Sequence, residues 1–274
     1  MIGGAVGSKG TQTTWGCIVL SSFVLLSDRR AMSGDYGMAT HRFRLGWLTF
    51  SSALLLTALS MGAPSVAAAS GFTSKSAAQI VSTAIKNSAA ASSFSVDGTV
   101  NQPGSDITLD LSVSASGMSE GTISINGGSV RVIEIDGVGY FNADTKFWTK
   151  YASAAAAQLL AGRWVYGPMT SSPFSTFKQF LSPRKVIGSF FGNTQGPFKK
   201  GGTSTVDGQQ VIAITGTGSG ALYVATTDEH FVVMVQATKG SSNGTISFTH
   251  YDRPVRPTKP AGGVNLQQLE KQGN

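Results

Sequence analysis

From residue 94 onward, apolar and polar positions alternate along the chain with a period of two. Phe94, Val96, Gly98 and Val100 alternate with Ser95, Asp97, Thr99 and Asn101. Ile107, Leu109, Leu111, Val113 and Ala115 alternate in the same way with Thr108, Asp110, Ser112, Ser114 and Ser116. Successive strand side chains point to opposite faces, so each run predicts a strand with one buried and one wet face. Apolar segments at 122–125, 130–135 and 138–142 follow, punctuated by Gly117, Asn126-Gly127-Gly128 and Asp136-Gly137. Asn-Gly and Asp-Gly accept the positive φ of tight hairpins, so these segments predict an antiparallel meander. A second meander is expected at 209–215, 221–226, 230–238 and 245–251, with turns at Asp207-Gly208, Asp228-Glu229 and Ser242-Asn243-Gly244.

Helical spacing replaces this alternation in three places. Ser76 and Gln79 form a capping-box pair ahead of a stripe of Ala77, Ile80, Val81, Ala84, Ile85 and Ser88. The alanine-rich segment 152–161, with Leu159 and Leu160, predicts a helix stopped by Gly162. Ser172-Pro173 opens a short helix with Phe174, Phe177, Phe180 and Leu181 on one face. Ser182-Pro183 opens another with Val186, Ile187, Phe190 and Phe191. From Asp252 the chain carries Pro254, Pro257 and Pro260, which predict an extended arm.

The first quarter of the chain has a different character. His41, Arg42 and Arg44 precede an apolar run at 45–63 and the small residues Val66-Ala67-Ala68-Ala69-Ser70. Those are the basic, apolar and cleavage-site parts of a secretory signal, which places the signal at 38–69 and the exported domain at 70–274. Nineteen mostly apolar residues also suffice for a retained anchor, and export follows in either case. Residues 1–37 precede the basic segment, so they read as an upstream mis-start, with Met38 or else Met32 as initiator, or as a disordered extension. The sole cysteine, Cys17, lies ahead of the signal. The exported part therefore has no disulfide, thiolate metal site or cysteine nucleophile, and no cysteine to carry a lipid.

Composition and charge narrow the function. Apolar residues make up 41% of the chain, enough for a packed core, while charged residues are only 13% and glycines number 34. Within 145–206 there is no acidic residue but eight basic ones, whereas residues 70–274 carry sixteen basic against twelve acidic residues. Such a block suits an anionic membrane surface or a lipid headgroup; ordinary solubilising charge is the alternative. Six of the 15 phenylalanines fall at 174–198. Short helices cannot bury such faces alone and must close over a sheet, where the rings either fill a solid core or line a cavity.

Catalytic motifs are missing. The exported part has two histidines, His230 at a strand start and His250, which shares parity with Ile246 and Phe248 and reads as a core residue. There is no HExxH, P-loop, GxSxG or dinucleotide fingerprint, and Asp136 and Asp207 sit in hairpins. No cofactor, metal site or enzymatic activity is expected, and an exported domain without a binding motif is a poor candidate for nucleic acid.

The order of elements resembles a known family. An opening helix leads to Ser92-Ser93-Phe94-Ser95-Val96-Asp97-Gly98. Then come Gly121-Thr122-Ile123, Val132-Ile133-Glu134-Ile135-Asp136-Gly137 and Tyr140, and after them the aromatic helices. Gly244-Thr245-Ile246-Ser247-Phe248 ends in Tyr251-Asp252-Arg253-Pro254-Val255. This arrangement is similar to the LppX/LprAFG family of mycobacterial envelope lipoproteins, within the LolA-like superfamily, and spans nearly all of 70–274. Those proteins are anchored through a lipobox cysteine that this chain lacks.

The resemblance implies an α+β fold: a strongly curved antiparallel half-barrel with helices covering its concave face around an acyl-chain cavity. On that reading Leu109, Leu111, Leu159, Leu160, Phe174, Phe177, Phe180, Val186, Ile187, Phe190, Phe191, Val233 and Phe248 line the cavity. Arg163, Lys178, Arg184, Lys185, Lys199 and Lys200 then meet a headgroup or membrane. The implied function is non-enzymatic binding and transport of acyl lipids or lipoglycans, by a monomer, in the periplasmic or cell-envelope space or beyond it. The alternative is an envelope interaction or stress-sensing module with the same fold and no lipid cargo.

Overall fold

A computed structural model describes residues 71–192, 194, 196–216, 220–227, 229–237 and 243–272. The expected export signal at 38–69, the segment 1–37, and the expected turn or strand-end residues Asp228, Thr238 and Ser242 lie outside the described residues.

Helix α1 (Ala77–Ala90) starts at the expected capping box: the Ser76 side chain accepts from the Gln79 backbone, and the Gln79 side chain accepts from the Ser76 backbone. Strands β1 (Ser93–Gln102), β2 (Ser105–Ser114), β3 (Ser119–Ile125), β4 (Gly128–Ile135) and β5 (Val138–Ala143) form the first meander. Short helices α2 (Thr145–Tyr151) and α3 (Ala154–Leu160) lead to β6 (Trp164–Pro168). After α4 (Phe174–Phe177), a 3₁₀ turn (Lys178–Phe180) and α5 (Pro183–Phe191) comes the second meander. It comprises β7 (Lys199–Val206), β8 (Gln209–Thr215), β9 (Gly220–Ala225), β10 (Val232–Ala237) and β11 (Asn243–Thr249). β12 (Val264–Asn265) and α6 (Leu266–Gln272) close the described chain.

The hairpins follow from their turn residues. Asn126 and Gly127, Asp136 and Gly137, and Asp207 and Gly208 all have positive φ at both central positions, the twist that matches right-handed strands.

All twelve strands join one open sheet in the order β12-β6-β5-β4-β3-β2-β1-β11-β10-β9-β8-β7. Every pairing is antiparallel except that of β12 with β6. Flat, twelve strands would be about 50 Å across. Instead the sheet curves around its helices, and one apolar core runs from Val165 on β6 to Ile214 on β8. Glycines permit the bend. Gly98, Gly121 and Gly244 have φ of 141°, 150° and 143°, and a Cβ on each would lie 2.0, 2.0 and 2.1 Å from a carbonyl oxygen of the neighbouring strand. Side-chain-free kinks at such points let a sheet coil without breaking its ladder.

The outer face is mostly polar, with Ser95 bonded to Ser112 at 2.9 Å and Thr99 to Thr108 at 3.0 Å. Residues 253–260 have no regular secondary structure, as their prolines dictate, and carry the chain from β11 in mid-sheet to β12 at the far edge. Arg253 to Arg256 share a cleft with Ser95, Ser112 and Glu120, which places this arm on the outer face.

Candidate functional site

The inner face of the sheet and the short helices build the apolar interior that the spacing foretold. Leu109 and Leu111 on β2, Phe248 on β11, Leu160 on α3, and Phe174, Phe177, Phe180, Val186, Ile187, Phe190 and Phe191 on the helical pieces are all buried in the main core. Their rings form two groups. Phe141 of β5 packs against Phe174 at 4.6 Å and Phe177 at 4.7 Å between centroids, and Phe177 also meets Phe147 of α2 at 6.1 Å. On the other side Phe248 meets Phe94 at 5.6 Å, Phe190 at 5.7 Å and Phe191 at 6.3 Å. Gly139 and Gly167 give Phe174 its place, since a Cβ on either would lie 2.8 Å from the ring.

Two expected lining residues face elsewhere. Leu159 is 48% exposed while its neighbour Leu160 is buried, because adjacent residues of a helix point about 100° apart and α3 is too thin a cover to bury both. Val233 belongs to a separate small cluster with Val211 and Ala225. A register shift between Val232 and Met234 breaks the alternation, so Val232 and Val235 reach the main core and Val233 is turned away from it. His250 is also not a core residue: β11 ends at Thr249, and His250 is exposed with φ of 55°. His230 precedes β10 and stacks on Phe72, ring centroids 3.6 Å apart.

The basic residues are all exposed. Lys178 follows α4, and Arg184 and Lys185 open α5, above the aromatic groups. Lys199 and Lys200 begin the edge strand β7, where the Lys200 ammonium donates to the Thr73 carbonyl at 3.0 Å. Arg163 donates to the Leu159 carbonyl at 3.3 Å.

Four polar groups of the interior were not foreseen. Glu134 is on the inner face of β4 and only 7% exposed; burial pushes its carboxyl up, opposed by the nearby charges of Lys178 and Lys185. Strand parity with Val130 and Val132 could have revealed its inward position. Tyr251 is tied to β10 and α1, with its hydroxyl raised above the ordinary tyrosine range by burial. Trp148 of α2 is 4% exposed and its indole nitrogen is buried without a hydrogen-bond partner, as is the Thr194 hydroxyl. Leaving a buried donor unpaired costs roughly 1–3 kcal/mol.

Among the described residues no group of three or more His, Cys, Asp or Glu is placed to hold a metal ion, and no helix is long and apolar enough to cross a membrane. A surface cleft of about 340 Å³ lies between the β3–β4 turn and α2, lined by Ile125, Gly128, Lys146 and Lys150 among others.

The class so defined is an α+β protein with one open, curved, mostly antiparallel sheet and helices packed inside the curve. No known family model matches the chain, and no curated protein matches it. Solved structures of similar fold include LprF from Mycobacterium bovis, 14% identical, with a TM-score of 0.46 and coverage of 68% of this chain and 97% of that one. They also include the Mycobacterium tuberculosis lipoprotein LppX, 15% identical, with a TM-score of 0.43 and coverage of 66% and 97%. The MucA/MucB complex of Pseudomonas aeruginosa is 15% identical, with a TM-score of 0.31 and coverage of 70% and 60%.

Proposed function

We propose that this chain is a non-enzymatic, monomeric lipid-binding protein of the cell envelope, exported by the signal at 38–69 and not lipidated on cysteine. Its cargo is an acyl lipid or lipoglycan, held between the curved sheet and the short helices and carried between membranes.

The construction of the inner layer carries this reading. The aromatic faces of Phe174, Phe177, Phe180, Phe190 and Phe191 sit on short helical pieces of four, three and nine residues, the first two contiguous and the last set off by Leu181-Ser182. Such pieces have little stability of their own, and they can shift relative to the sheet without breaking a strand ladder. An acyl chain entering between them trades ring-to-ring contact for ring-to-chain contact, so binding needs no new polar partners along its length. Lys178, Arg184 and Lys185, exposed on the same pieces, suit the anionic headgroup of the cargo or of the membrane that supplies it.

Native mass spectrometry of protein purified from its host tests this. The expected result is a mass adduct that fragments to acyl lipid, on a chain that begins at Ser70 or within two residues of it. A lipid-free mass, with no lipid in a solvent extract, overturns the carrier reading; a protein adduct in place of lipid favours the interaction module.

A further inference from the structure

Polar groups buried beneath the helices have their partners, with few exceptions. The Ser119 hydroxyl donates to the Leu181 carbonyl at 2.9 Å, and the Ser88 hydroxyl accepts from the Val232 amide at 2.9 Å. The indole N–H of Trp148 has none. The residue's backbone is held within α2, where the Trp148 amide donates to the Asp144 carbonyl at 3.2 Å and its carbonyl accepts from Ala152 at 2.9 Å. Its ring packs edge-on against Phe147 at 5.8 Å, and Phe147 in turn meets Phe177 at 6.1 Å, so Trp148 adjoins the aromatic layer assigned above to the acyl chains.

An indole N–H only donates, so the missing partner is an acceptor. Apolar ligand sites orient their cargo with a few fixed polar groups of this kind. Resting on the lipid-binding reading above, we propose that Trp148 is the donor that receives a neutral carbonyl oxygen of the bound lipid. The cargo is then an ester- or amide-linked acyl chain, not a free fatty acid or a hydrocarbon. Neutrality follows from the surroundings. The basic residues nearest in sequence, Lys146, Lys150 and Arg163, are exposed at the surface. A carboxylate entering the core would lose its hydration for one neutral hydrogen bond, whereas a carbonyl gives up far less. The sequence signal was faint: Trp148 reads as one more aromatic residue, and only its orphaned nitrogen sets it apart.

Two probes of matched chain length test the assignment on the exported protein after delipidation: dioleoylglycerol and its dialkyl ether analogue, which keeps the chains but lacks both carbonyls. Wild type is expected to bind the ester about tenfold more tightly, the value of one net hydrogen bond. Trp148→Phe should bind both probes alike. In ¹⁵N–¹H spectra the Trp148 indole cross-peak should move with the ester and stay with the ether. Trp164→Phe assigns that peak even if Trp148→Phe folds poorly. An ester preference that survives Trp148→Phe, no preference in wild type, or an unmoved cross-peak in the ester complex overturns the assignment while leaving lipid binding intact. Failure of both probes to bind, with no lipid recovered from the host protein, removes the lipid reading and this one together.

Discussion

The Tyr251 hydroxyl donates to the Val232 carbonyl at 2.7 Å, while the Val232 amide donates to the Ser88 hydroxyl at 2.9 Å, so one residue of β10 is held from both sides. Ser88 is on α1 and Tyr251 follows β11, which makes this knot the place where the opening helix, the second meander and the start of the arm are joined. Tyr251→Phe should cost about 1–3 kcal/mol, since a buried carbonyl loses its donor. Ser88→Ala should cost a similar amount, and the double variant less than the two together, as expected for one shared network. Urea denaturation of the four proteins reads this out. Additive losses would mean that the knot is two separate contacts. Burial raises the Tyr251 hydroxyl above its ordinary value of 10.0, so the folded state holds that proton more tightly than the unfolded chain. Its stabilisation is therefore complete below about pH 10 and is lost as the pH rises further, and Tyr251→Phe should weaken that alkaline loss.

The glycine kinks give a second test. A Cβ on Gly98 would lie 2.0 Å from the Thr245 carbonyl oxygen, in a conformation with φ of 141°. Either β11 must move away or β1 must flatten, and both disturb the curve that brings the two aromatic groups under one layer of helices. Gly98→Ala should cost at least about 2 kcal/mol, from backbone strain and lost ladder contacts combined. Gly202 in edge strand β7 has nothing within 4 Å of its Cβ position and no positive φ. Gly202→Ala should stay within about 0.5 kcal/mol of wild type. Equal melting temperatures for the two variants would rule out the kink as a structural requirement.

Much of this architecture was legible because it depends on local chemistry. Asn126-Gly127, Asp136-Gly137 and Asp207-Gly208 encode their hairpins through φ, and the Ser76–Gln79 box encodes the start of α1. The faces of Phe174, Phe177 and Phe180, and of Val186, Ile187, Phe190 and Phe191, came from spacing alone and are buried together. What escaped depends on tertiary context. Strand β7, of sequence KKGGTSTV, has no apolar alternation, because an edge strand exposed on both faces needs none. The two residues of β12 are a strand only because β6 lies beside them. Val233 was misplaced because parity assumes an unbroken register and a bulge shifts it. Asp144, by contrast, was readable: its side chain accepts from the Phe147 amide at 2.7 Å and caps α2, a helix that the apolar pattern alone does not reveal.

Glu134 offers a test by pH. Burial raises its carboxyl above the ordinary value of 4.5, with Lys178 and Lys185 pulling the other way. A carboxyl raised on folding binds its proton more tightly in the native state. Its stabilising effect is therefore full below the unfolded value and is lost as the pH rises through the folded one. At neutral pH the charged form bears the cost of burial, so Glu134→Gln should melt higher than wild type at pH 7, and the gap should close at pH 4. Thermal melts at both values decide it. A variant less stable than wild type at pH 7 would show that the attraction of the two lysines outweighs desolvation and that Glu134 anchors them.

Those lysines lead to the question of what the helix layer meets outside the protein. Lys178 and Lys185 both act electrostatically on Glu134, and Arg184 is adjacent to Lys185. All three are exposed on the short helical pieces that cover the proposed cargo site. Lys199 and Lys200 are on β7, and Lys200 is already engaged with the Thr73 carbonyl. A basic residue near an anionic membrane contributes about 1 kcal/mol, screened over a Debye length of about 8–10 Å at physiological salt. Replacing Lys178, Arg184 and Lys185 together by Gln should therefore weaken binding to phosphatidylglycerol vesicles by up to about a hundredfold. Charge reversal at Lys199 and Lys200 should matter less, and added salt should erase the difference. Vesicle co-sedimentation with phosphatidylcholine as the zwitterionic control measures all of these. If the wild-type protein binds both vesicle types equally, membrane docking is removed from the account. If reversal at Lys199 and Lys200 has the larger effect, the edge strand is the docking element and the helix trio serves the cargo headgroup instead.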